Sequence, residues 1–316
     1  MRGRNAAYRS GLLRSHQPPV PVVSIGNITA GGVGKTPFVE TIVGWLSEGG
    51  RTPVIVSRGY GSRGGDNDEA MLLRQNVPGT PHLQNPDRVA AVQEAAAKRI
   101  GDVVVLDDGF QHRRLRRTVD IVLLDATDPF GGGRVLPAGF LREPVSGLAR
   151  ADAIVLTRAG MVDEETRTAI RQRVAPEAPA AVWGEVDFRP TRWEKHGESA
   201  TPLASLQSAR VLAFCGIGNP EAFRGTLDRL GISVVGFESF PDHHAYSPDD
   251  LTGLARLARQ VGATALAATQ KDAVKITRPD IEGIPFYSLR IATEFASGES
   301  ELRQLVSERV AAFASG

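Results

Sequence analysis

The residues with the clearest chemical purpose lie in VVSIGNITAGGVGKTPFVET, where a short apolar run enters a glycine-rich turn and then a helical pattern. Glycine lets a backbone bend tightly and aim successive N–H groups at phosphate oxygens. The helix that follows adds its positive N-terminal end. Gly31, Gly32 and Gly34 would form the cradle, Lys35 would reach the β- and γ-phosphates, and the Thr36 hydroxyl would hold Mg²⁺. Pro37 fits the first helical turn, where an N–H has no intrahelical partner to lose. The loop departs from the standard spacing, with Thr29 where a glycine is usual, and reads A-G-G-V-G-K-T. Ala30 opens the double-glycine turn, and Lys35 is the single lysine of the loop. The pattern implies binding of a nucleotide.

A second constellation is VVVLDDGFQHRRL, which puts Asp107 and Asp108 at the carboxyl end of an apolar run. In phosphate-loop proteins a carboxylate there meets the Mg²⁺ shell, often through water. Gln111 and His112 follow closely and could line the same cleft, although His112 alone reads as an ordinary packed or solvated histidine. Arg113, Arg114, Arg116 and Arg117 form a cationic run that suits either a solvated face or an anionic substrate or lipid headgroup.

These groups must be positioned by a fold, and the apolar pattern shows which. VPVVSIG (20–26), PVIVS (53–57), VVVL (103–106), DIVLLD (120–125) and AIVLT (153–157) are short and bounded by Gly, Pro or Asp, as buried parallel strands are. Helical patterns lie between them, one placing Phe38, Val39, Ile42, Val43 and Leu46 on one face before Gly49, another over 88–100. Strand–helix alternation predicts a P-loop NTPase-like α/β fold, a doubly wound and mostly parallel sheet. The pattern lapses over 188–202 and then resumes through RVLAFCGIG, SVVGF and ATALAAT. The expected organisation is a basic N-terminal segment (1–16), a P-loop domain (17–187), a linker or hairpin (188–202) and a smaller α/β domain (203–316).

Composition removes several classes. The 316 residues carry 37 basic and 36 acidic side chains, so net charge gives no argument for nucleic acid. The single cysteine, Cys215, excludes an internal disulfide and a cysteine metal cage, and its apolar run reads as a buried thiol. No apolar stretch approaches the ~18 residues of a membrane span, and no secretory signal is visible. The first 16 residues carry Arg2, Arg4, Arg9 and Arg14 without an acid. With Ala7, Tyr8, Leu12 and Leu13 on one side they read as a frayed terminus or a weak contact with an anionic membrane surface.

Taken together, PVPVVSIGNITAGGVGKTP, SRGYGSR, DEAMLL, DRVAA, VVVLDDGFQHRRL, LPAGFLREP, FPDHHAYS and TQKDAVK resemble, in order, the tetraacyldisaccharide 4′-kinase family of lipid A biosynthesis. The resemblance implies transfer of the ATP γ-phosphoryl group to the 4′-hydroxyl of a tetraacyldisaccharide 1-phosphate, with ATP and Mg²⁺ as cofactors. It assigns Lys35 and Thr36 the P-loop roles and Asp107 and Asp108 the metal-shell roles. Asp68 matches the family's catalytic aspartate and His243 its partner. By themselves Asp68 reads as a helix N-cap and His243 as a surface loop residue, and a zinc reading of His243 and His244 is weak. An imidazole oriented by a carboxylate makes sense for taking the proton of an alcohol, and a cleft between the domains is where the two would be expected to meet. Arg88, Gln111, Arg142 and Glu143 fall in family phrases as further site residues. The implied setting is the cytoplasmic face of the bacterial inner membrane, held peripherally, with no obligate protein partner and no nucleic acid.

Two departures stand out. Family members commonly begin with a longer apolar helix than the basic segment here, which implies either weaker anchoring or an incomplete start. The late motif often reads TEKDAVK, whereas Gln270 replaces the acid and leaves Lys271 and Asp272 in place. The competing readings are a switch ATPase of the partition or metallochaperone class, whose variant loops the A-G-G-V-G-K-T turn resembles except that Ala30 stands where those carry lysine, and a structural membrane-surface protein.

Overall fold

The computed structural model describes residues 7–8, 12–59 and 67–313. Its contacts divide it into two units, Met1–Phe188 with Thr293–Gly316, and Arg189–Ala292.

In the first unit the chain runs β1 (Val22–Asn27), α1 (Lys35–Glu48), β2 (Pro53–Ser57), α2 (Asp68–Asn76), β3 (His82–Gln84), α3 (Arg88–Ala97), β4 (Val103–Asp107), β5 (Val119–Asp125), β6 (Ala153–Thr157), α4 (Glu164–Val174) and β7 (Val182–Glu194). The strands pair in the order β3-β2-β4-β1-β5-β6-β7, all parallel. Their apolar runs are nearly unbroken because both faces are covered. Val23, Ile25 and Val105 meet Phe38, Val39, Ile42 and Trp45 of α1. Val22, Val104 and Leu106 point the other way onto Val89, Val92 and Ala95 of α3. Successive strand side chains alternate between faces, so a strand buried on both must be apolar throughout.

The second unit contains β8 (Arg210–Cys215), α5 (Pro220–Arg229), β9 (Ser233–Ser239), α6 (Pro248–Val261), β10 (Ala265–Thr269), α7 (Gln270–Ala273), β11 (Asp280–Ile281) and β12 (Ile284–Ser297). Its parallel strands pair in the order β12-β10-β8-β9. The long helix α6 opens with a capping box between Ser247 and Asp250 and closes at Gly262, whose φ is 65°.

The final helix, α8 (Glu299–Phe313), corrects the expected domain boundaries. It was expected within the smaller domain, but Leu302, Val306 and Val310 complete the first unit's core beside α1. Residues 188–202 are likewise no plain linker: β7 continues through 194, and Trp193 bridges Thr201 in an antiparallel turn. Trp193 is fully buried and anchors this polar stretch. Pro190 and the charged residues around it interrupt the apolar pattern of that strand, which is why the sequence offers only a linker or a hairpin there.

Of the basic N-terminal segment, Arg2, Arg4 and Arg9 lie outside the described residues. Among its described residues Tyr8 packs under Arg113, whose guanidinium lies 5.3 Å from the ring centre, while Leu12 is 81% exposed. No helix among the described residues is long and apolar enough to cross a membrane.

Candidate active site

The parallel pairing of β1 with β4 brings the two sequence constellations to one sheet edge. Ile25 pairs with Asp107, so the glycine loop leaving β1 and the acidic pair leaving β4 emerge side by side. Ligands of open α/β sheets bind outside the carboxyl ends of strands for this reason.

The loop is held by its surroundings rather than by its own side chains. Ala30 N donates to Phe140 O (2.7 Å) and Arg142 N to Ile28 O (2.7 Å). Arg158, paired with Asp125, donates from Nη2 to Gly32 O at 2.8 Å. Gly34 adopts φ 84° ahead of α1, and a Cβ there would fall 2.0 Å from Phe188 Cζ. Only glycine meets both demands. By contrast, a Cβ at Gly31 or Gly32 would meet nothing within 4 Å, so that part of the cradle is open.

Lys35 Nζ lies 3.5 Å from Asp108 Oδ1, and Arg142 Nη1 donates to both oxygens of the same carboxylate at 2.8 Å. Burial alone would raise the Asp108 carboxyl, but Lys35 and Arg142 outweigh it and hold it below the usual range. Asp107 behaves oppositely. Burial, followed by repulsion from Glu69, pushes it up to about 7 despite the pull of Lys35. Its Oδ1 is buried with no hydrogen-bond partner. A desolvated carboxylate oxygen in that position suits a cation. The glycine cradle, the ammonium of Lys35, the Thr36 hydroxyl and the two aspartates form a donor set that fits a magnesium-bound nucleotide.

Glu69 also shows that the start of α2 lies near the end of β4. Asp68, the first residue of α2, is 9% exposed, and its Oδ1 accepts from Glu69 N at 3.1 Å. It is not the N-cap; Asn67 takes that role by accepting from Ala70 N. The error arose because Asn67 and Asp68 are both good caps and only backbone geometry selects between them. His243 lies in the second unit, with its backbone at φ 62° and its side chain 54% exposed.

The remaining expected residues separate by role. Arg88 opens α3 and is buried. Burial and the Arg58 guanidinium lower its proton affinity, opposed by the carboxylates of Asp108 and Asp107, so it belongs to the same electrostatic neighbourhood. Gln111 Nε2 donates to Asn27 O (2.7 Å) and Glu143 Oε1 (3.0 Å), and Arg150 Nη2 donates to both oxygens of Glu143 at 3.0 Å. Glu143 is thus a buried brace between the end of β1 and the loop carrying Arg142. His112 is pushed down to about 4 by burial and then by Arg88 and Arg117, so its ring is neutral. The arginine run is largely turned to internal pairing: Arg117 meets buried Asp120 and Arg114 meets Asp87 at 2.9 Å. No cluster of three or more His, Cys, Asp or Glu able to hold a metal occurs among the described residues, which gives the zinc reading of His243 and His244 no support. Tyr60 to Arg63 of SRGYGSR lie outside the described residues.

Arg158, Phe188 and Glu69 were not singled out by sequence reasoning. Each is an ordinary residue type in an unremarkable context, and its relevance arises only from what the fold brings beside it. Gln270 also finds a physical account. Its Nε2 donates to Glu194 Oε2 at 2.6 Å, a contact in which a carboxylate at 270 would face a second carboxylate.

A parallel, doubly covered sheet with a glycine loop, a lysine at the helix start and an acidic neighbouring strand end defines a P-loop NTPase-like phosphotransferase. The family model for tetraacyldisaccharide-1-P 4′-kinase matches residues 1–311. A tetraacyldisaccharide 4′-kinase of Anaeromyxobacter sp. (strain Fw109-5) is 38% identical, covering 98% of this chain and 87% of that protein. That of Halothermothrix orenii is 35% identical over 96% and 88%. A crystal structure of LpxK from Aquifex aeolicus in complex with ATP superposes with a TM-score of 0.77 at 29% identity, covering 98% of this chain and 94% of that one. The chain belongs to the tetraacyldisaccharide-1-P 4′-kinase family and is a kinase. That membership displaces the switch-ATPase and structural-protein readings.

Proposed function

We propose that this chain transfers the γ-phosphoryl group of ATP to the 4′-hydroxyl of a tetraacyldisaccharide 1-phosphate at the cytoplasmic face of the inner membrane. The observation that carries the reading is the pairing of β1 with β4, which sets the glycine loop beside Asp107 and Asp108 in a chain of this family. Magnesium-bound ATP supplies the transferable group and screens its charge when bound. Gly31, Gly32 and Gly34 offer backbone N–H groups to the phosphates, and Lys35 exchanges its pairing with Asp108 for phosphate oxygens. Thr36, Asp107 and Asp108 are oxygen donors for the metal. Arg142 and Arg88 add fixed positive charge near the site, which suits an anionic acceptor.

In this reading Asp68 and His243 are the acid–base pair that acts on the acceptor hydroxyl. An alcohol is a poor nucleophile at neutral pH, and a positioned base takes its proton as its oxygen bonds to the γ-phosphorus and the bond from that phosphorus to the β,γ-bridging oxygen breaks, releasing ADP. Contact with anionic headgroups is peripheral, consistent with the lack of a membrane-length apolar helix among the described residues.

The test is transfer of labelled γ-phosphate from Mg-ATP to a tetraacyldisaccharide 1-phosphate in detergent micelles. Wild type, Lys35→Ala, Asp68→Ala and His243→Ala are compared. Labelled lipid in wild type that is lost in all three variants supports the assignment. Full transfer by Asp68→Ala or His243→Ala would remove the acid–base pair, and no transfer by wild type despite ATP binding would overturn the acceptor.

A further inference from the structure

The stretch Thr269-Gln270-Lys271-Asp272 has no part in the chemistry above, yet it organises the segment that carries His243. Asp272 is fully buried. Its Oδ1 accepts from Gly216 N (3.0 Å) and Tyr246 OH (3.0 Å), and its Oδ2 from Thr269 Oγ1 (2.6 Å). Lys275 Nζ lies 3.7 Å from the same carboxylate. Gly216 follows β8 and Tyr246 follows His243 by three residues, so one buried carboxylate ties α7 both to the end of β8 and to the segment that carries the histidine. His243 N in turn donates to Gly216 O at 3.2 Å. These anchors hold His243 at φ 62°, a left-handed conformation that a non-glycine residue adopts only at a cost.

Lys271 acts on the ring itself. Its Nζ lies 3.2 Å from His243 Nε2 and 3.4 Å from Asp242 Oδ1. An ammonium has three donors and no lone pair, so this contact requires Nε2 to accept. A neutral imidazole that accepts at Nε2 carries its proton on Nδ1. Neighbouring His244 is engaged elsewhere, with Nε2 3.0 Å from Asp250 Oδ2. We propose that Lys271 is a positioning residue that fixes His243 as the Nδ1–H tautomer, with buried Asp272 holding the frame in which it does so. The tautomer determines which edge of the ring can donate to a carboxylate and which can accept. The inference rests on the reading of His243 as half of the acid–base pair.

The test uses the full chain labelled with ¹⁵N-histidine. Long-range ¹H–¹⁵N correlation reads the tautomer of each ring, and His243 is assigned by its loss in His243→Gln. Wild type is expected to show Nδ1–H at position 243, and Lys271→Met a mixture or the opposite tautomer. In the transfer assay Lys271→Met is expected to lower kcat by at least ~10-fold, since a wrong tautomer disables such a pair, with KM for ATP unchanged within about twofold. Lys271→Arg, which keeps a donor, recovers part of the loss. Lys271→Met adds nothing to His243→Ala when the two are combined, as residues acting through one another require. An Nε2–H tautomer in wild type, or an unchanged kcat with raised KM for ATP in Lys271→Met, overturns the inference. Full activity of His243→Ala with the tautomer still governed by Lys271 would instead remove the acid–base reading and leave the positioning intact.

Discussion

Replacing Asp107 by Asn should stabilise the ligand-free protein in a pH-dependent way while abolishing phosphoryl transfer. Burial and the Glu69 carboxylate raise Asp107 from 3.8 to about 7, so between those values the folded chain holds a proton that the unfolded chain has released. Stability therefore falls as pH rises through this window, and the loss is complete above about pH 7. At about 1.36 kcal/mol per pH unit the full penalty approaches about 4 kcal/mol. Asn has the same shape and no charge to desolvate, so it escapes the penalty. The assay is urea denaturation of wild type and Asp107→Asn across the pH range. The stability difference between the two cancels the titrating groups that do not interact with Asp107 and should widen in favour of Asn by roughly 3 kcal/mol between about pH 5 and 8. A difference that stays constant with pH, or a wild type more stable than Asn at the alkaline end, would refute the claim that Asp107 is a desolvated, cation-seeking carboxylate.

Other consequences are open to simple tests. Mg-ATP binding at about pH 6.5 should release protons from wild type and not from Asp107→Asn, because a cation favours the ionised carboxylate; calorimetry in buffers of different ionisation enthalpy reads this. His82 and His112 are both pushed down to about 4, chiefly by burial, so each contributes stability that is present above pH 6.5 and lost as pH falls toward 4. Denaturation of a His112→Asn variant should show a flatter acid limb. Gly34→Ala should lose ATP binding and fold stability, and adding Phe188→Ala should restore only part of the stability, since the ring clash is relieved but φ 84° remains. Leu302→Ala should cost about 2–5 kcal/mol in urea melts of the first unit's core, because α8 is built into it; a silent substitution would contradict that placement.

The apolar runs made the parallel sheet legible because a strand covered on both faces must be hydrophobic at every position. The glycine loop was legible because phosphate binding restricts residue types at fixed spacing, and Asp107 and Asp108 because they end such a run. Resemblance supplied Asp68 and His243, whose local contexts speak only of a cap and a loop. What no run of residues could carry was adjacency between distant segments. The register of β1 on β4 set Lys35 beside Asp108, Arg142 closed on the same carboxylate, and burial, with Glu69 beside it, raised Asp107. Arg158 and Phe188 became supports of the loop only through packing. The return of α8 to the first unit and the burial of Trp193 were hidden for the same reason. Local pattern encodes which face of an element is apolar; the partner that covers that face, and the charges it brings within a few ångströms, are decided by the tertiary fold.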